Sequence, residues 1–164
     1  MVDGCSIRRF APADLKRLHD IRAAAYQPVF RSFRELVGVP IAGVALANLE
    51  QEQADYLDTL CGPNSDREVY VVEEGGRIVG FYAVALNGQT KVGELDLNAV
   101  DPDCQGRGIG SWMFGRALDR MKEAGMKAAT VGTGGDASHA PARRAYEKAG
   151  FGPSIPSVYM YRTL

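Results

Sequence analysis

Sulfur and imidazole side chains are sparse in this 164-residue chain, which holds three cysteines and two histidines. Cys5, Cys61 and Cys104 show no C-x-x-C spacing, and His19 and His139 stand far apart in sequence. That argues against a disulfide framework and a structural zinc; no metal is expected, and a reducing, cytoplasmic setting is. Long apolar runs are missing as well. None approaches the ~20 residues of a membrane span, and Met1-Val2-Asp3-Gly4 does not open a secretion signal, so no membrane partner is expected. Basic residues form no sustained stripe interleaved with aromatics, which argues against nucleic acid. No Lys-Ser or Lys-Thr pair occurs, which removes a mononucleotide P-loop. Repeats, linkers and low-complexity segments are also lacking. Residues 1–164 therefore read as a single domain, large enough to bury roughly 70% of its unfolded surface.

What is present is unevenly placed. The net charge of −1 hides a division along the chain. Residues 36–74 carry eight acids (Glu50, Glu52, Asp55, Asp58, Asp66, Glu68, Glu73, Glu74) and one base, Arg67. Residues 105–164 carry nine bases (Arg107, Arg116, Arg120, Lys122, Lys127, Arg143, Arg144, Lys148, Arg162) and four acids (Asp119, Glu123, Asp136, Glu147). The basic half surrounds Gln105-Gly106-Arg107-Gly108-Ile109-Gly110-Ser111. Three glycines in this loop leave backbone N–H groups uncovered, with the positive end of a helix directly behind them. Such a nest suits a phosphate or pyrophosphate, at roughly 1.5–3 kcal/mol per hydrogen bond to a charged group. A dinucleotide fingerprint would need glycines at 106, 108 and 111, but position 111 is Ser. A glycine-rich helix start that binds nothing is the plainer alternative.

The loop follows an alternating stretch. Glu94, Asp96 and Asn98 point one way and Leu95, Leu97 and Ala99 the other, as in a strand with one buried face. Before it, the pattern predicts a first strand over residues 6–10 and a helix opening at Pro12 with Leu15, Leu18, Ile21 and Ala25 on one face. Tyr26 to Phe33, broken by Pro28, reads as a loop or short helix. A second helical region spans Val39 to Leu60. Strands over 68–73 and 77–86 flank the hairpin signal Glu74-Gly75-Gly76, and Asn87-Gly88 leads into a strand over 91–100. After the glycine loop come a helix with Ile109, Met113, Phe114, Ala117, Leu118 and Met121 on its buried stripe, and a strand over 128–132. A helix over 140–149 closing at Gly150-Phe151 and a last strand over 158–162 complete the chain. Trp112 falls off the buried stripe, which predicts contact with another segment or with a second subunit in a homodimer. Cys104 reads as a small packed side chain.

The pattern Q-x-x-G-x-G at Gln105, Gly108 and Gly110, after a strand ending Asn-Ala-Val-Asp-Pro, resembles the acyl-CoA-binding motif of the GNAT superfamily of N-acyltransferases. Ala142-Arg143-Arg144-Ala145-Tyr146-Glu147-Lys148-Ala149-Gly150-Phe151 is similar to the family's A-x-x-x-Y-E-K-x-G-F segment. The likeness covers roughly Glu68 to Leu164, and the first third agrees in element order. It implies an α/β (α+β) three-layer fold, with a mixed, mostly antiparallel central sheet flanked by helices. It also implies transfer of acetyl from acetyl-CoA to an amine acceptor by direct attack, without an acyl-enzyme. Gln105, Gly106, Arg107, Gly108, Ile109, Gly110 and Ser111 would hold the cofactor, helped by His139, Arg143 and the backbone of Ala99 and Val100. Two departures stand out: His139 occupies a place where the family usually has Asn, and the tail after Phe151 is short, with two prolines.

Amine acetylation makes a demand that these residues can be checked against. A lysine-like amine with pKa ~10.4 is mostly protonated at pH 7, and exposing its lone pair costs roughly 4–5 kcal/mol. A carboxylate or a water chain must take the proton. Glu94, on the polar face of the central strand and at a position often acidic in the family, is the first candidate, and Asp96 its rival. Tyr146 falls where the resemblance puts the acid for the departing thiolate; it also fits the buried stripe of its helix. A non-catalytic acyl-CoA-binding or regulatory module is the alternative function.

Overall fold

Gly75 and Gly76 both adopt left-handed φ, 57° and 80°, and this two-residue turn folds β2 (Glu68–Glu74) back on β3 (Arg77–Asn87). In the computed structural model, which describes Val2 and residues 4–164, this hairpin is the centre of a five-stranded sheet ordered β1-β2-β3-β4-β5. The reading of Met1–Gly4 as no secretion signal falls partly on Met1 and Asp3, outside the described residues. β1 (Cys5–Arg9) pairs antiparallel with β2, and β4 (Val92–Val100) antiparallel with β3. β5 (Ala128–Val131) runs parallel to β4, making the sheet mixed and mostly antiparallel as the pattern implied.

Helices cover both faces. On one lie α1 (Leu15–Val37) and α3 (Leu49–Cys61), whose Leu18, Ile21, Leu57 and Leu60 pack on Val69, Val71, Phe81 and Ala83. On the other lies α4 (Ile109–Glu123) with α5 (Ala140–Lys148) beside it, and Ile109, Met113, Ala117, Met121 and Tyr146 meet Val72, Tyr82, Val84 and Leu95. Each large apolar side chain buried in this way contributes roughly 1.5–3 kcal/mol. α4 ends as its Gly125 predicts: φ is 76° there, and the Met126 N–H reaches the Met121 carbonyl at 3.0 Å. Trp112 is half-buried against the α4 side of the core.

Three expectations fail. α1 does not break at Pro28 but runs through it to Val37, so Tyr26 to Phe33 is helix. An interior proline costs about 3 kcal/mol; here the packing of buried Phe30, stacked on Tyr26, offsets it. The second helical region is two helices, α2 (Val39–Ala45) and α3, separated at Leu46–Asn48. The tail forms no strand over 158–162: Ile155, Val158, Tyr159 and Met160 are 82–96% exposed. A strand exists only by pairing, and Pro153 and Pro156 withhold ladder donors on the way into this segment. No described helix is long and apolar enough to cross a membrane.

Candidate active site

The site begins with an irregularity in β4. Tyr82 lies opposite Asn98, and Val84 opposite Leu95, so Asp96 and Leu97 together face the single residue Ala83. One extra residue in a strand exchanges the faces of everything beyond it. Leu95 therefore joins the core under α4, while Leu97 and Ala99 join the core under α1 and α3, against the single buried face the alternation implied. Asn98 swings to the α5 side.

Past the bulge β4 also stands unpaired on one side, which leaves a cleft between α1 and α5. β5 accompanies β4 only from Val92 to Leu95, and beyond that β4 has a free edge. Asp101 donates its N–H to Val79 on β3 at 2.8 Å, so by strand alternation Ala99 also turns its backbone to β3, and Asn98 and Val100 turn theirs to the open edge. The Asn98 carbonyl accepts from Tyr26 on α1 at 3.0 Å, and the Val100 carbonyl from the Gln105 amide at 3.0 Å. Asp101 itself is a buried anchor for this end of β4. Burial would push its carboxyl up, but Arg17, the Asp103 N–H and Arg77 hold it below the usual range.

Tyr146 stands over the cleft from α5. It is buried, tilted against Phe114 with ring centroids 4.7 Å apart and edge-on to Phe151 at 6.0 Å. The Phe151 contact comes from the helix end: Gly150 at φ 96° turns the chain so that the Phe151 N–H reaches the Tyr146 carbonyl at 3.0 Å. The amide nitrogen of Asn98 donates to the Asp96 carbonyl at 2.8 Å and to the Tyr146 hydroxyl oxygen at 3.1 Å. This anchoring orients the amide; the Tyr146 hydroxyl also lies 3.3 Å from Asn98 Oδ1, a longer contact to which it donates in the absence of another acceptor. Burial raises the pKa of both Tyr146 and neighbouring Tyr26, which keeps their protons on oxygen at neutral pH.

The two candidate carboxylates differ sharply. Asp96 is committed: Tyr56 donates to it at 2.8 Å, Arg67 at 3.0 Å and the Leu97 N–H at 2.7 Å, and only 10% of its side chain is exposed. Burial, with Asp96 adjacent, pushes Tyr56 up to about 12. Glu94 is exposed on the same side of the sheet.

At the glycine loop, Gly106 and Gly108 adopt φ of 76° and 84°, and a Cβ on either would meet nothing within 4 Å. The space before the loop is thus open. Gly108 caps α4, so the N–H groups of Ile109, Gly110 and Ser111 begin the helix without intrahelical partners. These donors fit a pyrophosphate. Arg107 turns aside to Glu74, at 2.9 Å. Arg143 is also committed, donating to the carbonyls of Gly134 and Asp136 at 2.5 and 2.8 Å. His139, in the short turn Ala137–His139 before α5, bonds Asp136 through Nδ1 at 2.6 Å. Asn98, Tyr26 and Asp136 were not singled out as site residues in the sequence. Asp136 had a readable signal, the Asp-x-x-His spacing with His139.

The model of the Acetyltransferase (GNAT) family matches residues 19–151, and the chain belongs to that family. A mycothiol acetyltransferase of Streptomyces bingchenggensis is 32% identical over 110 residues, 66% of this chain and 35% of the relative. The chain thus spans about a third of the length of the curated relatives it matches. Among solved structures, a GNAT family acetyltransferase from Brucella melitensis in complex with acetyl-CoA superposes with a TM-score of 0.61 at 24% identity, covering 93% of this chain and 91% of the other. An aminoglycoside acetyltransferase from an uncultured soil metagenomic sample, in complex with sisomicin, gives 0.61 at 19% identity over 99% and 97% of the two chains. These likenesses carry the fold: a mixed five-stranded sheet flanked by helices is the GNAT architecture.

Proposed function

We propose that this protein transfers acetyl from acetyl-CoA to a small-molecule amine by direct attack on the thioester. The observation that carries the reading is the conjunction of a backbone nest at Gly106–Ser111 with a cleft whose floor is Asn98 and Tyr146. The first-turn N–H groups of α4 hold the pyrophosphate, and the open-edge groups of Asn98 and Val100 meet the pantetheine arm. Ala99, its backbone turned to β3, supports that edge from behind. Acetyl-CoA supplies the activated acyl group as a thioester. The Tyr146 hydroxyl stabilises the departing thiolate by a hydrogen bond, since full proton transfer from an ordinary phenol of pKa ~10 to a thiolate of pKa ~8.5 is uphill by about 2 kcal/mol, and burial of Tyr146 makes it harder still.

Direct transfer is supported by the state of the thiols. Burial raises the pKa of Cys61 to about 11 and, with Glu74 adding, that of Cys5, while Cys104 is buried. None is an activated nucleophile. Glu94, the exposed member of the carboxylate pair, draws in a cationic amine; Asp96 serves Tyr56 and Arg67 instead. The test is thiol release from acetyl-CoA across a panel of polyamines, aminoglycosides, amino sugars and amino acids. Turnover with at least one amine is expected. Tight acetyl-CoA binding with no turnover on any acceptor would assign the protein to the non-catalytic, acyl-CoA-binding class.

A further inference from the structure

The turn before α5 is built around a carboxylate and an imidazole that the cofactor loop does not use. Asp136 Oδ1 bonds His139 Nδ1 at 2.6 Å, with side-chain exposures of 13% and 15%. Its other oxygen accepts from Ser32 on α1 at 3.0 Å, from the Ser138 N–H at 3.1 Å and from the Ser138 hydroxyl. Burial would push the Asp136 carboxyl up, but hydrogen bonds from Ser138, His139 and Ser32 hold it well below the usual range. Phe33 of α1 stacks on the imidazole, centroids 5.6 Å apart, and a Cβ on Gly134 would overlap both ring and carboxylate. The imidazole is therefore held from three sides.

An ionised carboxylate only accepts, so Nδ1 carries the hydrogen and the neutral ring keeps its lone pair at Nε2. Nε2 has no partner among the described residues, and it is not among the sealed, unbonded polar atoms, so it meets solvent. No hydroxyl or thiol stands on it, which separates the arrangement from a hydrolase triad. His139 stands just before α5 and Tyr146 within it, while Tyr26 and Phe33 are seven residues apart on α1; seven helical residues bring a side chain back to the same face about 10 Å further on. α1 and α5 thus share two levels of one cleft, with Tyr26, Asn98 and Tyr146 at one and Phe33, Asp136 and His139 at the other.

We infer that His139, oriented by Asp136, is the base that receives the acceptor's proton through bridging water in this cleft. The inference rests on the acetyl-transfer reading above. As the C–N bond forms and the C–S bond breaks, the N–H proton passes through water to Nε2, and the electron pair leaves on sulfur beside Tyr146. The imidazolium, neutralised by Asp136, then releases its proton to solvent. The charged groups around the ring are Asp136 on its own turn and Arg143 on α5; α1 contributes Ser32 and Phe33, which do not titrate.

The experiment is steady-state kinetics of wild type, His139→Asn and Asp136→Asn between pH 5.5 and 9, on the best amine from the panel, with acetyl-CoA affinity measured by calorimetry. His139→Asn should lower kcat by ~10²–10³-fold at pH 7, remove the acid limb of the pH profile, and leave acetyl-CoA affinity unchanged. Added imidazole should restore part of the rate. Asp136→Asn should shift the limb and give a smaller loss. A His139→Asn enzyme with the wild-type rate and limb overturns the inference while acetyl transfer stands. A variant that loses acetyl-CoA affinity in proportion to its rate overturns it in favour of a cofactor contact. A wild type inactive on every amine removes the function itself, and this inference with it.

Discussion

Tyr146→Phe separates the packing role of this residue from its chemical one. The substitution keeps the ring that tilts on Phe114 at 4.7 Å and meets Phe151 at 6.0 Å, and it deletes only the oxygen bonded to Asn98 at 3.1 Å. One neutral hydrogen bond is worth about 1 kcal/mol net. Loss should be no greater, because the Asn98 amide keeps its second partner, the Asp96 carbonyl at 2.8 Å. For a domain of this size 1 kcal/mol is about 2–4 °C in Tm. Turnover should fall much further. A preorganised donor to developing negative charge is worth ~10²–10³ in kcat, and the hydroxyl donates only across a long 3.3 Å contact to Asn98 Oδ1, which a thiolate displaces. Thermal melts, acetyl-CoA calorimetry and thiol-release kinetics should therefore show a nearly native, cofactor-binding, slow enzyme. Asn98→Ala should lower kcat less than Tyr146→Phe, and the double variant should be no slower than Tyr146→Phe alone, because Asn98 acts through the hydroxyl. Wild-type turnover in Tyr146→Phe would refute the reasoning and leave Tyr146 as core.

Three other outcomes are expected. Gly108→Val places a β-branched residue at φ 84°, a conformation costing roughly 1–2 kcal/mol for an L-residue, and should weaken acetyl-CoA binding in calorimetry far more than Arg107→Ala; equal losses would count against backbone recognition. Gly93→Ala sets a Cβ against Met121 and should cost about 1–3 kcal/mol in urea unfolding, less in a Met121→Ala background. Asp101 has a lowered pKa in the fold, so its stabilisation is complete above the unfolded value of ~3.9 and is lost as pH falls below it toward the folded value. Asp101→Asn should destabilise at pH 7 and flatten the decline between pH 5 and 3, whereas a parallel decline would show that Asp101 gains nothing from Arg17.

Elements that depend on local chemistry were readable in the sequence. Gly75-Gly76 had to turn, Gly125 and Gly150 had to end helices, and the glycine-rich loop had to precede α4, because few other residues hold those backbone angles. Elements that depend on distant partners were not. Pro28 looked like a break because only the tertiary fold supplies the burial of Phe30 that carries the helix through it. Strand propensity in Val158–Arg162 was real, but no neighbouring strand accepts it. Glu94 and Asp96 share one face of an alternating strand, and only the resemblance put Glu94 first; what distinguishes them in the fold is Arg67 and Tyr56, which arrive from other segments. Asn98 passed as one more polar residue on the same face, since a bulge leaves no mark on a pattern that already alternates.

That bulge makes the number of residues in β4 a variable in its own right. Between Leu95 and Asn98 the chain is one residue longer than a regular ladder needs. Were β4 to zip evenly against β3 at its present length, starting from Leu95 opposite Val84, Asn98 would fall opposite Phe81. That register would return Asn98 to the α1 side, uncouple its amide from Tyr146, and turn toward β3 the carbonyl that Tyr26 now reaches across the gap. Register, rather than the identity of any one side chain, is what sets Asn98 between Tyr26 of α1 and Tyr146 of α5.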